Sequence, residues 1–230
     1  MNPRFRIYGL VIPVSLLLIY PAFAFQLPKW FPFNHVRALD EWQEKIFKGR
    51  VLYQIKANPG EGFLSAVSRS ASSGLLYRIK FDVTKFPMIS WEWMVKKFPT
   101  KKAGPNPSGG WIERDDYAAR VYVIFPSWNF TNIKTLEYIW DEDQPAGKIL
   151  TSPYSNNIKL LVIESGKANL NRWVLEERNI QQDYQKAFGV KAPRYVGAVA
   201  IMTDADNSVS IAEALYKNLR IGYKNVQSKQ

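Results

Sequence analysis

The sequence predicts an all-β chain, mainly antiparallel: a single β-sandwich of jelly-roll type with one or two short helices. Three observations carry this prediction. Beyond residue 49 the apolar residues recur with a period of two, in short runs. Turn signals such as "NPGEG" (58–62) separate those runs. Neither an internal repeat nor a linker divides residues 49–224, so one domain is expected there. At 230 residues, 47% of them hydrophobic and 14% aromatic, the chain has ample material for one core and too little for two.

The elements follow in order. Arg4 and Arg6 precede "IYGLVIPVSLLLIY" (7–20), an apolar run well short of the roughly 20 residues that span a bilayer. Pro21 breaks it, and Ala22 and Ala24 stand where a signal peptide is cut. Residues 1–24 therefore read as a signal peptide on an exported, periplasmic protein, with an uncleaved anchor as the alternative. Residues 25–48 form an N-terminal lead. It opens on "FQLPKWFPFNH" and continues as "VRALDEWQEKIF", where Val36, Leu39, Trp42 and Ile46 have the three- and four-residue spacing of a short amphipathic helix.

Strands are expected at "RVLYQIKA" (50–57), "FLSAVSRS" (63–70) and "LLYRIKFDV" (75–83), the last with Leu75, Tyr77, Ile79, Phe81 and Val83 on one face. "MISWEWMV" (88–95) sets Ile89, Trp91, Trp93 and Val95 against Ser90, Glu92 and Met94. "TKKAGPNPSGGW" (100–111) is a long loop. Further strands lie at 117–125, 135–140, 158–165, 172–180, 194–202 and 211–223. "QQDYQKAFG" (181–189) reads as a short helix closed by Gly189, with Tyr184 and Phe188 four apart as its anchoring face and Arg178 and Asp183 fixing its entry. Residues 225–230 are a tail.

Composition excludes several chemistries. There is no cysteine, so thiol catalysis, thiolate metal sites and disulfides are absent. The one histidine, His35, lies in the lead, which removes the usual zinc sites and leaves a Ser-His-Asp triad without a base near the main fold. "PSGGW" has glycines but not the lysine and helix of a phosphate loop. The formal net charge of +11 is either spread over a solvated surface or meets anionic lipids, acidic glycans or wall polymers, while export argues against nucleic acid. Membrane contact is expected only through an uncleaved leader or peripherally.

Arg120 is the foremost binding candidate. On its strand Val121, Val123 and Phe125 form the core face, and Arg120 shares the opposite face with Asp116 and Tyr122. Asp116 is too distant along the strand to pair with it, so Arg120 requires a cross-strand partner or a ligand, and Glu92 is the partner expected. Trp111 and Trp128, near loops, are candidate sugar platforms, whereas Trp91 and Trp93 read as core. "MTDADNS" (202–208) brings Asp204, Asp206 and Asn207 together at the start of a calcium-loop spacing. Val209 and Leu215 stand where that loop needs Gly and Glu, which excludes an EF-hand. Two accounts remain: a turn capped by its own side-chain oxygens, or a different calcium site, calcium being the one candidate cofactor.

"SRSASSGL" (68–75), "WEWMV" (91–95), "DDYAARVYVIF" (115–125), "LEYIW" (136–140), "ERNIQQDYQKAFG" (177–189) and "AIMTDADNS" (200–208) together resemble a bacterial family catalogued as domain of unknown function 3047. The resemblance runs over residues 40–223. It implies an exported protein with a sandwich similar to that of carbohydrate-binding modules, and it supplies no catalytic residues. The expected function is a non-catalytic binding or accessory protein recognising a glycan or envelope polymer. The alternatives are a hydrolase of glycosidic bonds using carboxylates such as Glu92, Asp116, Asp204 or Asp206, and a subunit docking on a membrane-associated protein complex through apolar surface near "WFPF" (30–33).

Overall fold

The computed structural model describes residues 27–58, 61–101, 115–129 and 132–224. The expected leader, Trp111 and the tail at 225–230 lie outside these residues. Thirteen strands and one helix are described: β1 (Lys29–Phe31), β2 (Gln43–Lys48), β3 (Leu52–Asn58), β4 (Glu61–Arg69), β5 (Ser72–Asp82), β6 (Met88–Lys97), β7 (Ala119–Phe125), β8 (Lys134–Asp141), β9 (Ile149–Ser152), β10 (Ser155–Ser165), β11 (Val174–Asn179), α1 (Ile180–Phe188), β12 (Tyr195–Asp204) and β13 (Ile211–Tyr223).

The strands form two sheets of a jelly-roll sandwich. One is ordered β11-β6-β13-β4-β3, with β1 also paired to β13; the other is β2-β5-β12-β7-β8-β10-β9. Pairing is antiparallel except between β8 and β10, which run parallel, with Leu161 against Tyr138. That parallel pair is possible because β9 is inserted between them in sequence and folds back antiparallel on β10.

The core forms where the two inner faces meet. Trp91 and Trp93 of β6 and Tyr138 and Trp140 of β8 are fully buried. Their rings bridge the sheets, Trp91 on Tyr138 at 5.3 Å and Trp93 on Trp140 at 6.0 Å between centroids. Each such burial contributes about 1.5–3 kcal/mol or more, which accounts for a stable core without disulfides. Helix α1 is capped by Asn179, whose side chain accepts from the Gln181 and Gln182 amides, and it ends at Gly189 in the left-handed region at φ 71. Arg178 grips Asp183 at 2.9 and 2.6 Å, and Tyr138 donates to the same carboxylate at 3.0 Å. Tyr184 packs on Phe125 and Phe188, so the helix docks through the face its sequence spacing indicates.

The N-terminal lead departs from expectation. In place of a helix over 36–46, residues 36–41 form turns and β2 follows as the edge strand beside β5. Only part of the expected apolar face is used: Trp42 is buried against Phe31 and Tyr77, while Val36 and Ile46 are exposed. A turn can supply the three-residue spacing from Leu39 to Trp42 as well as a helix can. The lead is also part of the sandwich, contributing β1 to one sheet and β2 to the other. Phe31 and Phe33 are buried, so the "WFPF" segment leaves only Trp30 as a large exposed apolar side chain.

Candidate functional site: an acid–arginine cleft on the outer sheet face

The outer face of the seven-stranded sheet is not a simple solvated surface. On β7, Arg120 lies opposite Met202 of β12 and Ile139 of β8; Tyr122 lies opposite Ala200 and Glu137. Residues directly opposite in an antiparallel pair share a face, so these six side chains form one patch. At one side, toward β9 and β10, Tyr117, Ile139, Leu150, Leu160 and Val162 form a small second core. At the other side stands the edge strand β2 with Phe47, 71% exposed. Between them lies an open cleft of about 580 Å³, lined by Phe47, Lys48, Tyr122, Tyr154, Ile158 and Met202 together with Asp115, Arg120, Glu137, Asp204, Asp206, Asn207, Ser72 and Ser152. A second depression of about 310 Å³ continues along the same face and shares Phe47, Tyr122, Ile158 and Met202.

Arg120 organises the polar end and is only 3% exposed. Its Nε donates to Asp204 Oδ1 at 2.9 Å and its Nη2 to Asp204 Oδ2 at 2.6 Å, a two-pronged pair. Nη1 donates to Glu137 Oε1 at 2.6 Å and to the Tyr122 hydroxyl at 3.4 Å. Nη2 also donates to the Asp115 carbonyl, and the Asp115 carboxylate lies 3.8 Å from Nη1. The Tyr117 ring covers the guanidinium at 4.5 Å. Burial alone would pull Arg120 down; the carboxyl groups of Asp204, Glu137 and Asp115 outweigh it and hold the guanidinium charged.

The acids respond to the same enclosure. Burial pushes Asp115 up to about 7; Arg120 opposes this, and Glu137 and Asp116 add to it. Burial also drives Asp204 up, against the Arg120 fork and the Tyr117 amide, which donates to Asp204 Oδ1 at 3.0 Å. Tyr122 is pushed well above the ordinary phenol range by burial, so it stays a neutral hydroxyl, bonded to Met202 Sδ at 3.3 Å.

Asp116 has a different task from the one its strand position indicates. Fully buried, it accepts the Asn207 amide at 3.2 Å and the Ser208 amide at 2.5 Å. The 204–210 turn is therefore capped from another segment of the chain; Asp204 itself is the last residue of β12 and faces Arg120. Asn207 turns its side-chain amide to the Tyr154 hydroxyl at 3.3 Å. Asp206 lies 3.8 Å from Lys48, which also donates to the Asp206 carbonyl at 3.0 Å. Oxygens of Asp116, Asp204 and Asp206 all lie within 4.8 Å of one another, so Asp116 takes the third place that the sequence reading gives to Asn207. A cation there competes with N–H donors already seated on Asp116 and with the Arg120 guanidinium on Asp204.

The sequence candidates separate as follows. Arg120, Tyr122, Asp204, Asp206 and Asn207 meet at the cleft, with Asp116 supporting its rim. Glu92 does not pair with Arg120: it is on β6 in the other sheet, where its side chain accepts from Asn218 at 2.7 Å and meets Lys217 at 3.3 Å. Trp128 is fully exposed on the β7–β8 connection, and Trp111 lies outside the described residues. Sequence reasoning missed Glu137, the true cross-strand partner, and the walls supplied by Phe47, Tyr154 and Ile158. One signal for Glu137 was present: it is the lone acid inside the apolar run "TLEYIW", as Arg120 is the lone base inside "YAARVYVIF".

A jelly-roll sandwich with a cleft on one outer sheet face defines the class of protein. The family described as protein of unknown function DUF3047 matches residues 40–220, and the chain belongs to that family. No curated protein matches the sequence. Among solved structures, the chain is similar to the family 11 carbohydrate-binding module of a Clostridium thermocellum cellulosomal cellulase, with 8% identity, TM-score 0.41, and 80% of this chain and 88% of that one covered. It is also similar to the xyloglucanase domain of NopAA from Sinorhizobium fredii, with 13% identity, TM-score 0.44, and 80% and 93% covered. A third is endoglucanase 3 of Trichoderma harzianum, with 9% identity, TM-score 0.41, and 80% and 98% covered.

Proposed function

We propose that the chain is an exported, non-catalytic binding protein that recognises a glycan in the cleft on the outer face of its seven-stranded sheet. One observation carries this reading: in an open cleft of about 580 Å³, exposed aromatic faces converge with buried carboxylates held by a single arginine. A sugar ring offers C–H faces to aromatic rings and hydroxyl donors to carboxylates, and the cleft supplies both kinds of partner. Phe47 and Tyr154 are the exposed walls, and Asp115, Glu137 and Asp206 the acceptors.

The test is a panel of soluble neutral, acidic and basic polysaccharides in affinity electrophoresis, followed by calorimetry on any binder. Phe47→Ala and Tyr154→Ala should each weaken binding by roughly tenfold, as loss of an aromatic anchor does. No retardation by any polymer, or unchanged binding in both variants, would remove the reading.

A hydrolase acting through carboxylates has one observation in its favour. Asp115, held up to about 7, stands beside Glu137 in an open cleft, the pairing of a proton donor with a second carboxylate. New reducing ends on prolonged incubation with a bound polymer, abolished by Asp115→Asn, would select this reading over pure binding.

A further inference from the structure

The polar end of the cleft is built of acceptors. Asp115, Glu137, Asp204 and Asp206 face it, and each nitrogen of Arg120 already donates within the protein. Lys48 is engaged with Asp206. Asp115, Glu137 and Asp204 stand against one guanidinium, so once Asp115 and Asp204, both pushed up by burial, have ionised, this end of the cleft carries excess negative charge within a chain of net +11. The rest of the cleft is apolar and aromatic, with Phe47, Tyr154, Ile158 and Met202. Its size lies within the roughly 300–1,000 Å³ of ordinary ligand pockets.

Building on the glycan reading above, we propose that the cleft selects sugars carrying a free, protonated amine. The ammonium docks among Asp115, Glu137 and Asp206 while the ring lies against Phe47 and Tyr154. An ammonium offers three N–H donors and a positive charge to a wall of acceptors, so it satisfies both the hydrogen-bonding and the charge imbalance. An N-acetylated sugar keeps the ring but loses the charge and two of the donors. A carboxylated or phosphorylated sugar brings like charge to the acidic wall and finds the guanidinium already committed.

Calorimetry on the wild-type protein with three short oligomers tests this: glucosamine, N-acetylglucosamine and glucose, at a pH near 7, high enough to ionise Asp115 and low enough to keep much of the amine charged. The glucosamine oligomer should bind at least about tenfold tighter than the other two, and its advantage should shrink as salt is raised. Asp206→Asn, at a partly exposed position that leaves the Arg120 pairs in place, should weaken the glucosamine oligomer severalfold. Equal or tighter binding of the N-acetylated or neutral oligomer overturns the amine selection and leaves glycan binding standing. A glucosamine preference that ignores both salt and Asp206→Asn overturns the placement of the amine. Binding of none of the three overturns the inference, and the wider polysaccharide panel then decides the glycan reading separately.

Discussion

Arg120→Met removes one guanidinium and leaves three carboxyl groups facing one another in a mostly buried cluster. The lost contacts are two short bonds to Asp204, one to Glu137, one to the Asp115 carbonyl and a longer one to Tyr122. Breaking a buried ion pair by removing one partner costs about 3–5 kcal/mol, and here two carboxylates are stranded together beside a third. Against a typical total of about 5–15 kcal/mol, the variant is marginal at neutral pH. Protonation relieves it, because an unpaired buried carboxylate takes up a proton as pH falls, so the loss should be larger at pH 8 than at pH 5. Arg120→Lys should fall between, since one ammonium cannot reproduce the fork that spans Asp204 and Glu137 together. Urea denaturation followed by tryptophan fluorescence at both pH values measures this. A loss below about 1 kcal/mol at pH 8, or an equal loss at both pH values, would refute the claim that Arg120 neutralises the cluster.

The wild-type protein should itself lose stability as pH rises toward neutrality. Burial pushes Asp115 up to about 7, and burial together with Glu164 pushes Glu176 up to about 7 against Arg178. A carboxyl raised on folding binds more protons folded than unfolded, so stability is greatest below the unfolded value near 4 and is lost between about pH 4 and 7, by on the order of 3 kcal/mol per group. Glu176→Gln should flatten part of that slope, and denaturant midpoints that stay constant across the window would contradict it. Calcium or a chelator should move the thermal midpoint by less than about 1 °C, because the Asp116 and Asp204 oxygens already receive N–H donors; a calcium-dependent rise of several degrees would establish the carboxylate trio as a cation site.

The strands whose two faces were legible in the sequence are those with one wet and one dry face. β5 and β6 alternate because their inner residues, such as Tyr77, Ile79, Trp91 and Trp93, enter the core while their neighbours do not. β1 and β9, at three and four residues, are too short for a period of two to register. β2 is an edge strand with five of its six residues exposed, so its apolar spacing records no burial and imitates a helix. The parallel pairing of β8 with β10 leaves no local trace, because it depends on where β9 folds back.

The site was half legible for a related reason. Seven of the eight residues of β8 are buried, with Ile139 on its second face enclosed in the small second core. A strand dry on both faces has no pattern by which to assign its sides, yet a charge inside it must still be neutralised. Arg120 announced that need, and its match had to be an acid inside another apolar strand. Glu137 and Asp204 satisfy that condition, each lying in a strand beside β7. Glu92 could not, because alternation puts it on the outer face of a strand whose inner face holds Trp91 and Trp93, and the two sheets turn those outer faces away from each other. The distinguishing signal is thus the absence of alternation: two opposite charges, each alone in an apolar run, are partners before two charges on ordinary amphipathic strands are. Applied to this chain, the rule pairs "YAARVYVIF" with "TLEYIW" and with the Asp204 end of "AIMTDADNS", and these three strands carry the charged cluster at the polar end of the cleft.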